Sequence, residues 1–433
     1  MGYEEAVIVS RPSDNQHSMP DPVIWTILYL PFGALYGFGL VALTNVASQR
    51  GIPISQATLI IAAGGLINWL KWLWAPVVDI TLTLRSWYVL STVLSAIGVF
   101  AMSAVPLDRQ HFTLLILIIA AANFVNSFVA MSVEAMIAGS ILPHHAGRVS
   151  GWFQAGNLGG IGLGGGLGLY LLVHLPEAWM SGAIMAALFF GCCLALAFTP
   201  ELPSSHRGRG SWMAIRGVIR DLWTMLRTKA GLQSAILCIL PVGTGAAQGV
   251  LTQDAVAKYW SAGSDQVALT QGFLSGVVTA AGCFIGGFLC RKFHPRVAYA
   301  GIGLILSVIA VAMALAPHGP TAYVVWSMTY ALGVGLAYAA FTAVVLDAMG
   351  PRSGATKYNV FASLSNFPMW WLGLLLGYVA EKGGSQGAPW MLFTEAALGI
   401  TGVGVFAVSA RAIQRRYLLG HWKRIGRHVG SQP

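Results

Sequence analysis

The chain has 433 residues, 56% of them hydrophobic and only 9% Asp, Glu, Lys or Arg. A soluble domain carries about 25% charged residues, so a water-coated globular domain is excluded. The formal net charge of +10 follows from Lys and Arg placed in connecting loops and implies no nucleic-acid partner.

The first 22 residues are polar, with Glu4 and Glu5, and lack the short apolar core and small-residue cleavage site of a signal peptide. Long apolar blocks follow, each near or above the ~20 residues that cross about 30 Å of hydrocarbon as a helix. Twelve spans are predicted: Val23–Val46, Gln56–Val78, Trp87–Val105, Phe112–Ala138, Ser150–Val173, Trp179–Phe198, Leu232–Ala255, Val267–Cys290, Val297–Ala316, Ala322–Ala348, Tyr358–Ala380 and Trp390–Ala410. The ~10-residue alternating segments of a membrane barrel are absent from the sequence. The expected fold is therefore an all-α membrane protein.

Between spans 6 and 7 lies the basic stretch TPELPSSHRGRGSWMAIRGVIRDLWTMLRTKAG, with Trp212, Ile215, Val218, Ile219 and Leu222 spaced for a surface-lying amphipathic helix. The division is then an N-terminal segment (1–22), a first six-helix half (23–199), an inter-half loop (200–230), a second half (231–411) and a basic tail (412–433). With the N-terminus inside, 20 of the 25 Lys and Arg residues fall on the inner side. That bias predicts both termini in the cytoplasm. The tail RAIQRRYLLGHWKRIGRHVG is suited to anionic lipid headgroups. The cysteines Cys192, Cys193, Cys238, Cys283 and Cys290 lie in or at the ends of spans without C-x-x-C or Cys/His spacing, so no disulfide or metal site is expected.

The halves share a local pattern. Ala75, Asp79 and Arg85 in APVVDITLTLR are spaced as Gly286, Cys290 and Arg296 in GGFLCRKFHPR, a constant offset of 211 residues. Repeated halves are a common construction of secondary transporters.

A charge at mid-bilayer costs at least ~2.5–3.5 kcal/mol, so it faces a cavity or a partner. In NWLKWLWAPVVD, Asn68, Lys71, Ala75 and Asp79 share one face of a helix, and the tryptophans point elsewhere. Span 4 supplies the counter-charge Glu134, on a face with Asn123 and Ser127, at the same depth as Lys71. Either the two form a static ion pair, or Glu134 exchanges a proton while Lys71 tunes its proton affinity or holds an anionic substrate group. Asp79 and Asp347 at span ends read as conformational latches, Asp79 against a helix N-terminus or a loop arginine, and Arg85 is a further gating candidate. Asp254 with Lys258 forms either a surface pair or part of an outer gate. Gln154 and Asn157 in span 5 and Asn359 and Asn366 in span 11 are further path-lining candidates, with Tyr36 and Trp152 for stacking. Pro368 offers a hinge in span 11. Gly160, Gly164 and Gly168 suit close helix packing. No catalytic constellation is present, so no enzyme activity and no cofactor are expected.

These features resemble the major facilitator superfamily, with twelve helices in two six-helix pseudo-symmetric halves. LKWLWAPVVD (Leu70–Asp79) is similar to the K-x-L-W-A-P-x-x-D run of its peptide/acetyl-coenzyme A/drug transporter group. SGATKYNVFASLSNFP (Ser353–Pro368) is similar to that group's element leading into span 11. The group includes AmpG-type muropeptide permeases and siderophore importers. The resemblance implies a bacterial inner-membrane permease, a functional monomer whose partners are protons, a small-molecule substrate and the bilayer. An anhydro-muropeptide leads, and a ferric siderophore is the alternative. Acetyl-coenzyme A or drug transport, lipid flipping and ligand sensing without flux are further readings. Two departures stand out: NSFVAMSVEAM in span 4 holds one acid where muropeptide permeases carry more, and span 5 lacks the proline typical of drug antiporters.

Overall fold

The structure, a computed structural model, describes residues 20–50, 54–141, 143–200, 211–350 and 354–429. Residues 1–19 of the N-terminal segment, the start of the inter-half loop and Arg352 lie outside the described residues. Among the described residues the chain is helical throughout, with no strand. Ten helices among the described residues are long and apolar enough to cross a membrane: Pro22–Ala47, Leu84–Ala104, Phe112–Ser140, Ala146–His174, Ala178–Phe198, Thr270–Lys292, Pro295–Ala314, Pro320–Met349, Gly354–Lys382 and Gly384–Arg415. They correspond to spans 1, 3–6 and 8–12. Spans 2 and 7 are crossed by interrupted helices. The result is two sets of six, with the connecting helix Ser211–Leu226 between them.

The interruptions correct the expectation of uniform spans, and each has a local cause. Span 2 runs Ile54–Leu70, tightens into a 3₁₀ turn at Lys71–Leu73, and restarts at Ala75–Ile80. Pro76 has no N–H to return to the Trp72 carbonyl, and its ring crowds that carbonyl. It is accommodated in the first turn of the new helix, where that N–H has no partner to lose. Span 7 is helical over Lys229–Ile239, leaves the helix at Leu240, and resumes at Ala247–Leu251. Gly243 and Gly245 there take φ of +61° and +66°, a region that a Cβ disfavours. Pro241 precedes them. The expected hinge at Pro368 does not appear as a break, because Gly354–Lys382 is one helix through that proline. A lone proline removes a single backbone hydrogen bond, which a packed membrane helix tolerates. Span 12 belongs to a helix that continues to Val429, past its expected end and into the basic tail. The tail side chains from 416 onward lie outside the described residues.

Packing follows from small side chains. Lipid is as apolar as leucine, so membrane helices associate through close backbone approach and dispersion. A Cβ on Gly160 would stand 2.7 Å from the Leu30 carbonyl oxygen, and one on Gly164 would overlap the Ala34 carbonyl, so span 5 lies directly on span 1. On its other side, span 5 meets span 8 through Gly151 against Cys283 and Gly162 against Gly276. Spans 5 and 8 thus form one seam between the halves. Span 11 forms another, with Gly354 against Ala135 and Ala138 of span 4. The end of the bundle that holds Arg85, Arg148, Arg291 and Arg296 is called the basic end below.

Candidate functional site

Glu134 sits on the long span 4 helix, with its side chain 0% exposed. Its Oε1 accepts from the Tyr29 hydroxyl of span 1 at 2.8 Å and lies 3.3 Å from the Lys71 Nζ of span 2. Its Oε2 accepts from the Asn359 amide of span 11 at 2.7 Å. The Lys71 side chain is 6% exposed and its ammonium lies 5.3 Å above the Phe32 ring, a favourable cation–π placement. Burying two ions costs several kcal/mol each unless hydrogen bonds and geometry offset it. Here Glu134 has three donors, and Lys71 has a carboxylate and a ring face.

Asn359 belongs to the second half of the chain, so the Glu134 carboxylate ties the halves together. The Asn359 amide also donates to Ala355 O, one turn back, at 2.8 Å. The side-chain oxygens of Asn68 and Asn359 are buried with no hydrogen-bond partner among the described residues. Buried polar atoms normally find one, so both acceptors suit a ligand's N–H or O–H groups.

A second polar tie crosses between spans 5 and 10. The Gln154 amide donates to Thr342 Oγ1 at 2.7 Å and lies 3.4 Å from the Tyr358 hydroxyl, and Asn157 donates to Gln154 Oε1 at 2.9 Å. Tyr36 and Asn123 meet above Gly64, where a Cβ would stand 3.1 Å from the Tyr36 ring and 3.3 Å from Asn123 Oδ1. Asn123 donates back to Ile119 O of its own helix. Trp152 and Asn366 are not brought into the Glu134 cluster. The Trp152 ring packs edge-on against Phe284 of span 8 at 4.8 Å, and Asn366 lies two turns beyond Asn359 on span 11, half-buried.

Asp79 is 2% exposed and caps the start of span 11. It accepts from the backbone N–H of Ala355 at 3.3 Å, from that of Thr356 at 2.9 Å, and from Thr356 Oγ1 at 2.6 Å. A carboxylate there meets the unpaired N–H groups and the positive end of the helix dipole. The repeat-related Cys290 occupies the matching place, its backbone against Gly147 near the start of span 5. Arg85 donates instead to the Thr199 carbonyl at the end of span 6. Asp347 pairs with Arg296 at 3.0 Å, and Arg296 Nη2 lies 3.1 Å from His294 Nε2. Burial, then the Arg296 charge, pushes the His294 imidazole below its ordinary value of 6.5. The Asp254 side chain lies outside the described residues.

Five partner residues escaped sequence reasoning: Tyr29, Thr342, Tyr358, Ala355 and Thr356. Tyr29 carried a usable signal, since it lies seven residues before Tyr36 on the same face of span 1. Glu395, the single acid of span 12, carried a stronger one as an intramembrane carboxylate.

Twelve passages in two sets of six, joined by buried polar ties at one end, define a membrane transporter fold. The chain belongs to the Major Facilitator Superfamily, whose profile matches residues 24–369. Solved structures agree in fold. The human organic anion transporter MFSD10 (TETRAN) is 16% identical with a TM-score of 0.63, covering 89% of this chain and 99% of that one. The E. coli fucose:proton symporter FucP, solved as a point variant, is 14% identical with a TM-score of 0.63, covering 89% and 98%. FucP in an outward conformation is 14% identical with a TM-score of 0.65, covering 89% and 97%. Among curated proteins none matches the chain in sequence.

Proposed function

We propose that the chain is a proton-coupled secondary transporter that imports a medium-sized polar or anionic organic solute. An anhydro-muropeptide is the leading substrate and a ferric siderophore the alternative. The observation that carries this reading is the Glu134 carboxylate, which accepts from Tyr29, Lys71 and Asn359 at once. A proton on Glu134 turns an acceptor oxygen into a donor and removes the counter-charge of Lys71. That one event loosens the link to span 11 and frees an ammonium for an anionic substrate group. Proton binding and the separation of the halves are then thermodynamically linked. One proton moving down 100 mV supplies about 2.3 kcal/mol.

Proton coupling is supported by the description of FucP as a fucose:proton symporter, and an anionic substrate by that of MFSD10 as an organic anion transporter. In this reading the basic end faces the cytoplasm of a bacterial cell, since Lys and Arg collect there. The polar ties gathered at that end close it in the present arrangement, and Asp79 acts as the latch. The working unit is a monomer.

The test is uptake into sealed proteoliposomes under an inward proton gradient, with labelled anhydro-muropeptide and a labelled ferric siderophore offered separately. Gradient-dependent accumulation of the first is expected. Accumulation of the siderophore alone moves the assignment to the alternative, and uptake of either that ignores the proton gradient overturns proton coupling.

A further inference from the structure

We propose that Glu395 is a second proton-binding carboxyl, set in the half opposite Glu134 and fastened to the break in span 7. Glu395 is 6% exposed. Its Oε1 accepts from the Tyr330 hydroxyl of span 10 at 2.6 Å and from the Ala247 backbone N–H of span 7 at 3.2 Å. Its Oε2 is buried and has no hydrogen-bond partner among the described residues. Its partners Tyr330 and Ala247 and its chain neighbour Ala396 belong to one buried apolar cluster.

The arrangement is unlike that of Glu134. No lysine, arginine or histidine forms an ion pair with Glu395 among the described residues. The one titratable side chain that meets it is Tyr330, and span 7 presents backbone N–H. Both groups donate to Oε1, and among the described residues no donor reaches Oε2. A metal cation such as sodium requires several oxygens around it. The unoccupied Oε2 lone pairs suit a proton instead. An isolated buried carboxylate is expensive, and taking a proton is the ordinary relief. The step balances simply: hydronium on one side breaks an O–H bond and leaves water as the Oε2–H bond forms, and release to water on the other side breaks the Oε2–H bond and forms hydronium.

Position gives the site its use. Glu395 lies eight residues past the start of its helix at Gly387, about 12 Å along it at 1.5 Å per residue, toward the end opposite the basic end. Glu134 lies six residues before the end of its helix at Ser140, toward the basic end. The two carboxyls therefore sit toward opposite membrane faces, one in each half. Ala247 opens the helix that follows the break at Pro241, Gly243 and Gly245. A charge change on Glu395 thus acts where span 7 has no continuous backbone ladder to resist bending.

The proposal deepens the proton-coupled reading, yet its test needs no substrate. Infrared spectra of purified protein in an ester-free detergent, recorded from acid to alkaline pH, report the protonated-carboxyl C=O band. In wild type the band should titrate. Glu395→Gln should lose one component, and Glu134→Gln should keep that component. Tyr330→Phe, which leaves the carboxyl in place, should shift its frequency and midpoint through loss of the hydrogen bond, and it carries the test if Glu395→Gln does not fold. A Glu395→Gln spectrum identical to wild type, a Glu395 component that never changes with pH, or a Tyr330→Phe spectrum without a shift would overturn the proposal. Loss of the Glu134 component alone from the titration would sink the coupling role of Glu134 and leave Glu395 standing.

Discussion

Asp79→Asn is the most informative single change at the latch. The wild-type carboxylate receives three hydrogen bonds from Ala355 and Thr356 at 2% exposure. Asparagine keeps one acceptor oxygen but turns an NH₂ group toward backbone N–H donors. The loss is about one charge-assisted hydrogen bond, ~1.5–3 kcal/mol, together with a helix-terminus charge term of ~0.3–1 kcal/mol. About 2–4 kcal/mol removed from the closed arrangement raises the population open at the basic end by about 30- to 700-fold, at 1.4 kcal/mol per tenfold. Cys290 is a native reporter, 6% exposed at the span 8 end of the seam and against Gly147. In a background where Cys192, Cys193, Cys238 and Cys283 are replaced, its maleimide labelling should accelerate in the Asp79→Asn protein. An unchanged labelling rate would show that the bonds to span 11 do not hold the basic end shut.

Other consequences are equally direct. Glu134→Gln and Lys71→Met should each destabilise the folded protein by about 3–5 kcal/mol, because each strands a buried partner. The double variant should recover most of that in thermal unfolding, whereas simple additivity would mean the pair is not energetically coupled. Gly164→Ala should lower the melting temperature, by about 1–3 kcal/mol of overpacking against the Ala34 carbonyl. Gly373→Ala, with open space at its Cβ, should be neutral or slightly stabilising, and equal effects would refute the packing of span 5 on span 1. His294 is held below its ordinary value by burial and by Arg296, so the unfolded chain takes a proton first as pH falls. Stability should therefore drop below about pH 6.5 and level off once the folded state is also protonated. His294→Gln should flatten that drop in pH-dependent melting curves.

The spans were legible because hydrophobic blocks of membrane-crossing length leave few alternatives. Spans 2 and 7 were harder. A count of apolar residues does not register that Pro76 removes a hydrogen bond, or that Gly243 and Gly245 take positive φ. The proline at 368, which the sequence flags just as strongly, sits in an unbroken helix. Its neighbours, not its identity, decide the outcome. Lys71 and Glu134 could be placed at equal depth from helix rise alone, and the structure brings them to 3.3 Å. Their link to Asn359 could not be read that way, since contact between halves depends on how two six-helix units dock. The Asp79 cap on span 11 is legible as a type of partner, a helix N-terminus, but not as that particular helix. Arg85 could be named from sequence as a gating candidate but not given a partner, and it bonds the Thr199 carbonyl.

The central claim is that Glu134 couples a proton to movement of the solute. It is tested most directly by gradient-driven uptake of labelled anhydro-muropeptide beside substrate exchange without a gradient, in liposomes holding wild type or Glu134→Gln. Wild type should do both, while the variant should exchange but fail to accumulate. Accumulation by Glu134→Gln at the wild-type level would contradict it.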